Sequence, residues 1–181
     1  MPLQYTQPLQ KVITPALIER LERCLAEFPE LSNKVVTVGR TTVAYGTAEA
    51  QNMIIRLNVK PRTPVSCFTI GHELTHLLQS RGLHVVPDGE VQCDVWTLAR
   101  SAVFMDDRPT YLCPHLWARA TWPHHAARVR ELCVEAIERR QTNRRYLVWL
   151  HDQLEHRSRT FVPSAMSARP FIGPSFPRRG S

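Results

Sequence analysis

The order of sequence signals predicts an α+β fold, with a small mixed sheet packed on one helix and further helices after it. Three observations carry this. An amphipathic helical pattern opens the chain, three β-branched runs follow at residues 34–59, and helical patterns alternate with loops from about residue 64 onward. The length, 181 residues, suits one compact domain with a core that needs no disulfide or metal staple. We expect that domain over residues 1–159 and a Pro- and Arg-containing tail, disordered or docked, over 160–181.

The first helix is expected over residues 15–28, PALIERLERCLAEF. Thr14 can cap it, and Pro15 suits its first position because a proline lacks the N–H that would go unused there. Leu17, Leu21, Cys24, Leu25 and Phe28 make one apolar stripe. KVVTVG, TTVAYG and NMIIRLNV then read as strands, with at least one antiparallel pair. Pro61 and Pro64 interrupt the chain before a helix over about 64–81, which Gly82 is placed to end. The next helix is expected from Asp88, a plausible cap, to Phe104. MDDRPTYLCPHL is irregular, with Asp106 and Asp107 as turn residues. Two more helices follow, WPHHAARVRELCVEAIERR and NRRYLVWLHDQLEH.

Composition excludes several classes. The five cysteines are odd in number and none has C-x-x-C spacing, so a disulfide scaffold or Cys-rich zinc finger is not expected. Buried reduced thiols are. The N-terminus carries no apolar run of signal-peptide kind, and no stretch approaches a membrane span, so a soluble cytoplasmic protein is expected. The net charge of +7 is uneven. Residues 1–138 carry 14 Lys/Arg and 14 Asp/Glu, whereas 139–181 carry 9 Arg and 2 acids. That C-terminal excess could attract an acidic partner or nucleic acid, or simply solubilise the chain.

The chemistry concentrates in CFTIGHELTHLLQ, residues 67–79. On a helix, residues four apart lie on one face, so His72 and His76 point the same way and can grip one Zn²⁺. Glu73 is offset from that line yet close to it. There it can accept a proton from a water that the metal has acidified, then pass the proton to a leaving amine. The remaining faces are apolar (Phe68, Ile70, Leu74, Leu77, Leu78), so the helix should be buried, where unpaired polar side chains are costly.

A catalytic zinc site needs a third protein ligand. Continuation as H-E-x-x-H-x-x-G-x-x-H is absent, because Gln79 stands at the Gly position and Gly82 at the third His. His84 reads as a loop residue. The next helix offers Glu90 and Asp94. An antiparallel return recovers the height of His76 after about six residues, which favours Asp94. The other acid would hydrogen-bond a histidine's free nitrogen. Tyr111 could stabilise an oxyanion or simply pack. His124, His125, His151 and His156 read as surface groups, with no acid at a spacing suited to a second metal site.

FTIGHELTHLLQ resembles the active-site helix of zincin metallopeptidases, particularly short gluzincin-like and ImmA/IrrE-type ones. Phe68, Thr69, Ile70, His72, Glu73, Leu74, His76, Leu77 and Leu78 match, and IIRLNV stands where a strand precedes the helix. The resemblance spans about residues 52–105. It implies a zincin-like fold, His72 and His76 as zinc ligands, Glu73 as general base, and a protein or peptide substrate. It also implies an edge strand, here residues 52–58, that binds an extended peptide by strand addition. In one alignment of the second helix the third ligand is Asp94. In the other it is Glu90, with Asp94 behind it.

Overall fold

The computed structural model describes residues 3–160; of the segment 160–181 expected as a tail, all but Thr160 lies outside them. The described residues are α+β, with a four-stranded mixed sheet and six α-helices. In chain order these are β1 (Leu3–Tyr5), α1 (Gln7–Gln10), α2 (Pro15–Ala26), β2 (Val36–Arg40), β3 (Gly46–Glu49), β4 (Ile54–Leu57), α3 (Cys67–Leu78), α4 (Glu90–Arg100), α5 (Trp122–Arg140) and α6 (Tyr146–Thr160). The sheet order is β1-β2-β4-β3. β1, β2 and β4 run parallel, and β3 is antiparallel to β4, pairing Gly46 with Leu57 and Glu49 with Ile54.

Two apolar cores flank α3. On one side, Leu21 and Phe28 meet Val36, Val38, Ile55 and Leu57 of the sheet and Ile70, Leu74 and Leu77 of α3. On the other, α4, α5 and α6 pack through Val95, Leu98, Trp122, Val129, Leu132 and Leu150, with Phe68 reaching across from α3. Ten of the twelve α3 residues are buried, His72 and Glu73 among them. Gly71 lets α4 come this close: a Cβ there would lie 2.7 Å from the Phe104 ring and 2.8 Å from Thr97 Cγ2. Thr75 spends its hydroxyl on Gly71 O (2.8 Å) and on Thr97 Oγ1 (2.8 Å), so this buried polar contact is satisfied.

Helix starts follow local chemistry. Thr14 Oγ1 accepts from Leu17 N, and Ser66 Oγ accepts from Thr69 N. Asp106 is no simple turn residue. Its two carboxylate oxygens accept from Cys67 N (2.7 Å) and Phe68 N (2.9 Å), two amides that the first turn of α3 leaves without helical partners.

Four expectations are corrected. TTVAYG forms bends, leaving Val43 and Tyr45 exposed, and the strand instead begins at Gly46, where β4 supplies partners. Pairing thus overrides β-propensity. The β4 segment is no edge strand; it lies between β2 and β3, and β3 is the edge beside α3. α3 ends at Leu78, three residues before the expected end, with Gln79 as its cap. α4 starts after Gly89 (φ 115°) and stops at Arg100, because extended Ser101 redirects the chain into a 3₁₀ turn, Ala102–Asp106.

All five cysteines are buried and free, as expected. No helix among the described residues is long and apolar enough to cross a membrane. Part of the basic C-terminal region is used in packing: Arg139 pairs with Glu135 at 2.9 Å and lies over the Trp149 ring, and Arg140 faces Trp96.

Candidate functional site

The exposed edge of α3 floors an open cleft of about 380 Å³. β3 and the bend before it form one wall (Tyr45, Gly46, Thr47), and Glu90 and Tyr111 lie opposite. His72, Glu73 and His76 all line it, so the three motif residues are brought to one surface.

The two imidazoles are held from behind by different groups. His72 Nδ1 lies 2.8 Å from Asp94 Oδ1. Asp94 is fully buried, and its other oxygen accepts from Tyr111 N (2.6 Å) and Leu112 N (2.8 Å). A carboxylate so placed takes a hydrogen from Nδ1, which leaves the His72 lone pair on Nε2. His76 Nδ1 lies 2.8 Å from Gln79 Oε1. The orientation of Gln79 follows from its other contacts: Nε2 donates to Pro87 O (2.6 Å) and Gly89 O (3.2 Å), so Oε1 must face the imidazole. His76 therefore also carries its lone pair on Nε2.

Both Nε2 atoms face one oxygen. Glu90 Oε2 lies 3.0 Å from His72 Nε2 and 3.2 Å from His76 Nε2. Two lone pairs and a carboxylate repel one another unless a cation lies among them or the imidazoles are protonated. Burial by itself lowers the His72 pKa, but the hydrogen bond and charge of Asp94, with Glu73 and Glu90, raise it above its ordinary value.

Asp94, favoured from helix spacing, thus faces Nδ1 of His72, and Glu90 faces the open Nε2 side. The six-residue return assumed that the second helix begins at Asp88 and stands antiparallel at equal height. Instead the loop of residues 80–89 folds back, with Gln79 gripping Pro87 and Gly89, and brings the first residue of α4 over the histidines.

Cys93 was not anticipated here. His72, His76 and Cys93 have ligand-type atoms within 4.8 Å of one another, so this trio could also hold a metal ion. Its sulfur lies 3.3 Å from His76 Nδ1, the nitrogen already engaged by Gln79. Burial, followed by the charge of Glu90, raises the thiol pKa. The thiol thus sits on the Nδ1 side of His76, whereas the Glu90 carboxylate faces the Nε2 side of both histidines.

Glu73 is 5 % exposed, and no hydrogen-bond donor lies on its carboxylate among the described residues. Burial, then the nearby Glu90, push its pKa up to about 7, against the opposing pull of His72. Gly46 leaves room for it, since a Cβ at position 46 would lie 2.5 Å from Glu73 Oε1. Tyr111 is half exposed at the mouth, its ring stacked on His72 with centroids 5.6 Å apart. Burial and then Glu90 raise its phenol pKa, so it remains a donor near neutrality.

Comparison with protein-family models, with curated proteins and with solved structures finds no match to this chain.

The other histidines stay away from the cleft. His84 is a loop residue with φ 43°. Of the four histidines read as surface groups, His151 does have an acid beside it: Glu155 Oε1 lies 3.5 Å from its Nε2, and also 3.6 Å from Nε2 of His115, at the exposed surface of α6. Gln79 and Asp106 were the site-building residues least visible in sequence. Their signals, an amide in place of the Gly of a longer zinc motif and an acid in an irregular run, acquire meaning only from distant partners.

Proposed function

We propose that this protein is a metal-dependent hydrolase of peptide bonds, with His72, His76 and Glu90 as ligands of a divalent cation and Glu73 as general base. The observation that carries the reading is the convergence of two tautomer-fixed Nε2 atoms on Glu90 Oε2. Two imidazole nitrogens and one carboxylate oxygen suit Zn²⁺ and leave a coordination position open. When bound, such an ion supplies a Lewis acid that polarises a carbonyl and acidifies a water. Asp94 takes the supporting role: it holds the His72 proton on Nδ1 and ties down the Tyr111 loop.

Glu73 accepts the water's proton and returns it to the departing amine. Burial and the neighbouring Glu90 make this carboxylate more basic than a free one, which suits it to take the proton. Tyr111 is placed at the cleft mouth to donate to a developing oxyanion. β3 argues for an extended peptide as the substrate. It is an edge strand, and Gly46, Thr47 and Ala48 line the same cleft, so a substrate strand can add to its outer backbone groups and lie across the histidines.

The test is zinc content by elemental analysis, with hydrolysis of an unfolded protein, on wild type and three variants. One zinc per chain is expected in wild type and in Glu73→Gln, and none in His72→Ala or Glu90→Gln. Glu73→Gln should lose hydrolysis. Zinc retained without Glu90 would reject the ligand set, and turnover by Glu73→Gln would reject the mechanism.

A further inference from the structure

A second cleft, of about 530 Å³, lies between the N-terminal end of α2 and the loop of residues 59–65, and shares no lining residue with the first. Its rim carries Arg20, Arg40, Lys60 and Arg62, and no acidic residue lines it. Among the described residues no carboxylate pairs with Arg40, Lys60 or Arg62; the ion pairs of the chain lie elsewhere. Arg20 is anchored, donating from Nη1 to Val65 O at 2.6 Å. Lys60 and Arg62 are presented by a tight turn closed by a Lys60–Thr63 bridge, in which Arg62 takes a left-handed backbone, φ 65°. A non-glycine residue held there is an uncommon conformation that the rest of the fold must support. The floor is aliphatic, from Val12, Leu17, Val59, Pro64 and Val65.

We infer that this cleft docks an acidic, aliphatic peptide segment of a partner protein. Four like charges around one apolar trough repel one another and lack internal compensation, so a complementary anionic ligand gains both their field and the floor. The chemistry selects among occupants. Residues 161–181 of the chain itself carry three Arg and no acid, so charge opposes their binding here. A nucleic acid would find phosphate contacts, but no aromatic side chain lines the cleft for a base to stack on. Carboxylates alternating with leucine-like side chains match both rim and floor. The inference stands on this cleft and does not need the hydrolase reading.

Fluorescence anisotropy of the full chain tests it. The probe is a labelled octapeptide of alternating Glu and Leu with blocked ends, compared with alternating Glu and Ser, alternating Lys and Leu, and an oligouridine. Saturable binding is expected for Glu/Leu alone, weakening with added salt. Reversing Arg40→Glu together with Lys60→Glu should weaken it about tenfold, whereas Arg144→Glu, outside the cleft, should not. Both reversed side chains are exposed, and thermal melts confirm the fold; Arg40→Gln with Lys60→Gln carries the same test at smaller amplitude if the reversed pair melts early. Absent Glu/Leu binding, binding unaffected by the double reversal, equal binding of Glu/Ser, or preferential binding of oligouridine would each overturn the inference.

Discussion

Asp94→Asn isolates what the buried carboxylate does for His72. The side chain is nearly isosteric, so no cavity opens. Asp94 receives three hydrogen bonds, from His72 Nδ1 (2.8 Å), Tyr111 N (2.6 Å) and Leu112 N (2.8 Å), and has no exposure to solvent. An asparagine has one accepting oxygen. Turned toward the two backbone amides it satisfies both, and its NH₂ then faces His72 Nδ1. Nδ1 must become an acceptor, and the imidazole proton moves to Nε2, the atom that faces Glu90. The lone pair that would face the proposed cation is lost unless the tautomer is forced back. Supporting groups of this kind are worth about 10–100-fold in metal affinity, or ~1.4–2.7 kcal/mol. Losing charge-assisted hydrogen bonds should also cost about 1–3 kcal/mol of stability. Competition with a chromophoric chelator reads the affinity, and long-range ¹H–¹⁵N correlation of the histidines reads the tautomer. Wild-type zinc affinity, with His72 still protonated on Nδ1, would refute the reasoning.

Three further outcomes are expected. Gly46→Ala puts a methyl 2.5 Å from Glu73 Oε1 and 2.7 Å from its Cγ, so the carboxylate must move by about an ångström; hydrolysis should fall about 100-fold while zinc content stays at wild type. Asp106→Ala strips two amides at the start of α3 of their acceptor and should cost about 1–2 kcal/mol in urea melts, with little change if the cap were incidental. In chelator-treated protein, Glu73 has its pKa raised from about 4.5 to about 7. The folded state then holds that proton more tightly than the unfolded state does. Its contribution is full below pH 4.5 and is lost as pH rises toward and through 7. Glu73→Gln cannot lose a proton, so its stability advantage over wild type should grow by about 3 kcal/mol across that window. A difference that is flat with pH would mean that the buried carboxyl is not perturbed.

Periodicity and end signals were enough for much of the fold. Thr14 and Pro15 start α2 where expected, and α5 begins and ends with its amphipathic pattern. Local signals failed where pairing decided. TTVAYG has the better strand composition, yet Gly46–Glu49 forms the strand because β4 offers it hydrogen bonds. β1, only three residues long, has too little periodicity to register and is created by its pairing with Val36–Val38.

By itself the sequence determined that His72, Glu73 and His76 share one stretch of buried helix, because a helical turn and an apolar flank are local properties. It also supplied both acids, Glu90 and Asp94, that meet the histidines. Only the tertiary structure decided which acid meets which nitrogen. Glu90 and Asp94 are one turn apart on α4, so their spacing brings both near α3 and leaves their heights open. The fold-back of residues 80–89, held by Gln79 on Pro87 and Gly89, sets that height. It puts Glu90 on the two Nε2 atoms and buries Asp94 behind His72, where burial and two backbone amides from the Tyr111 loop hold it in place.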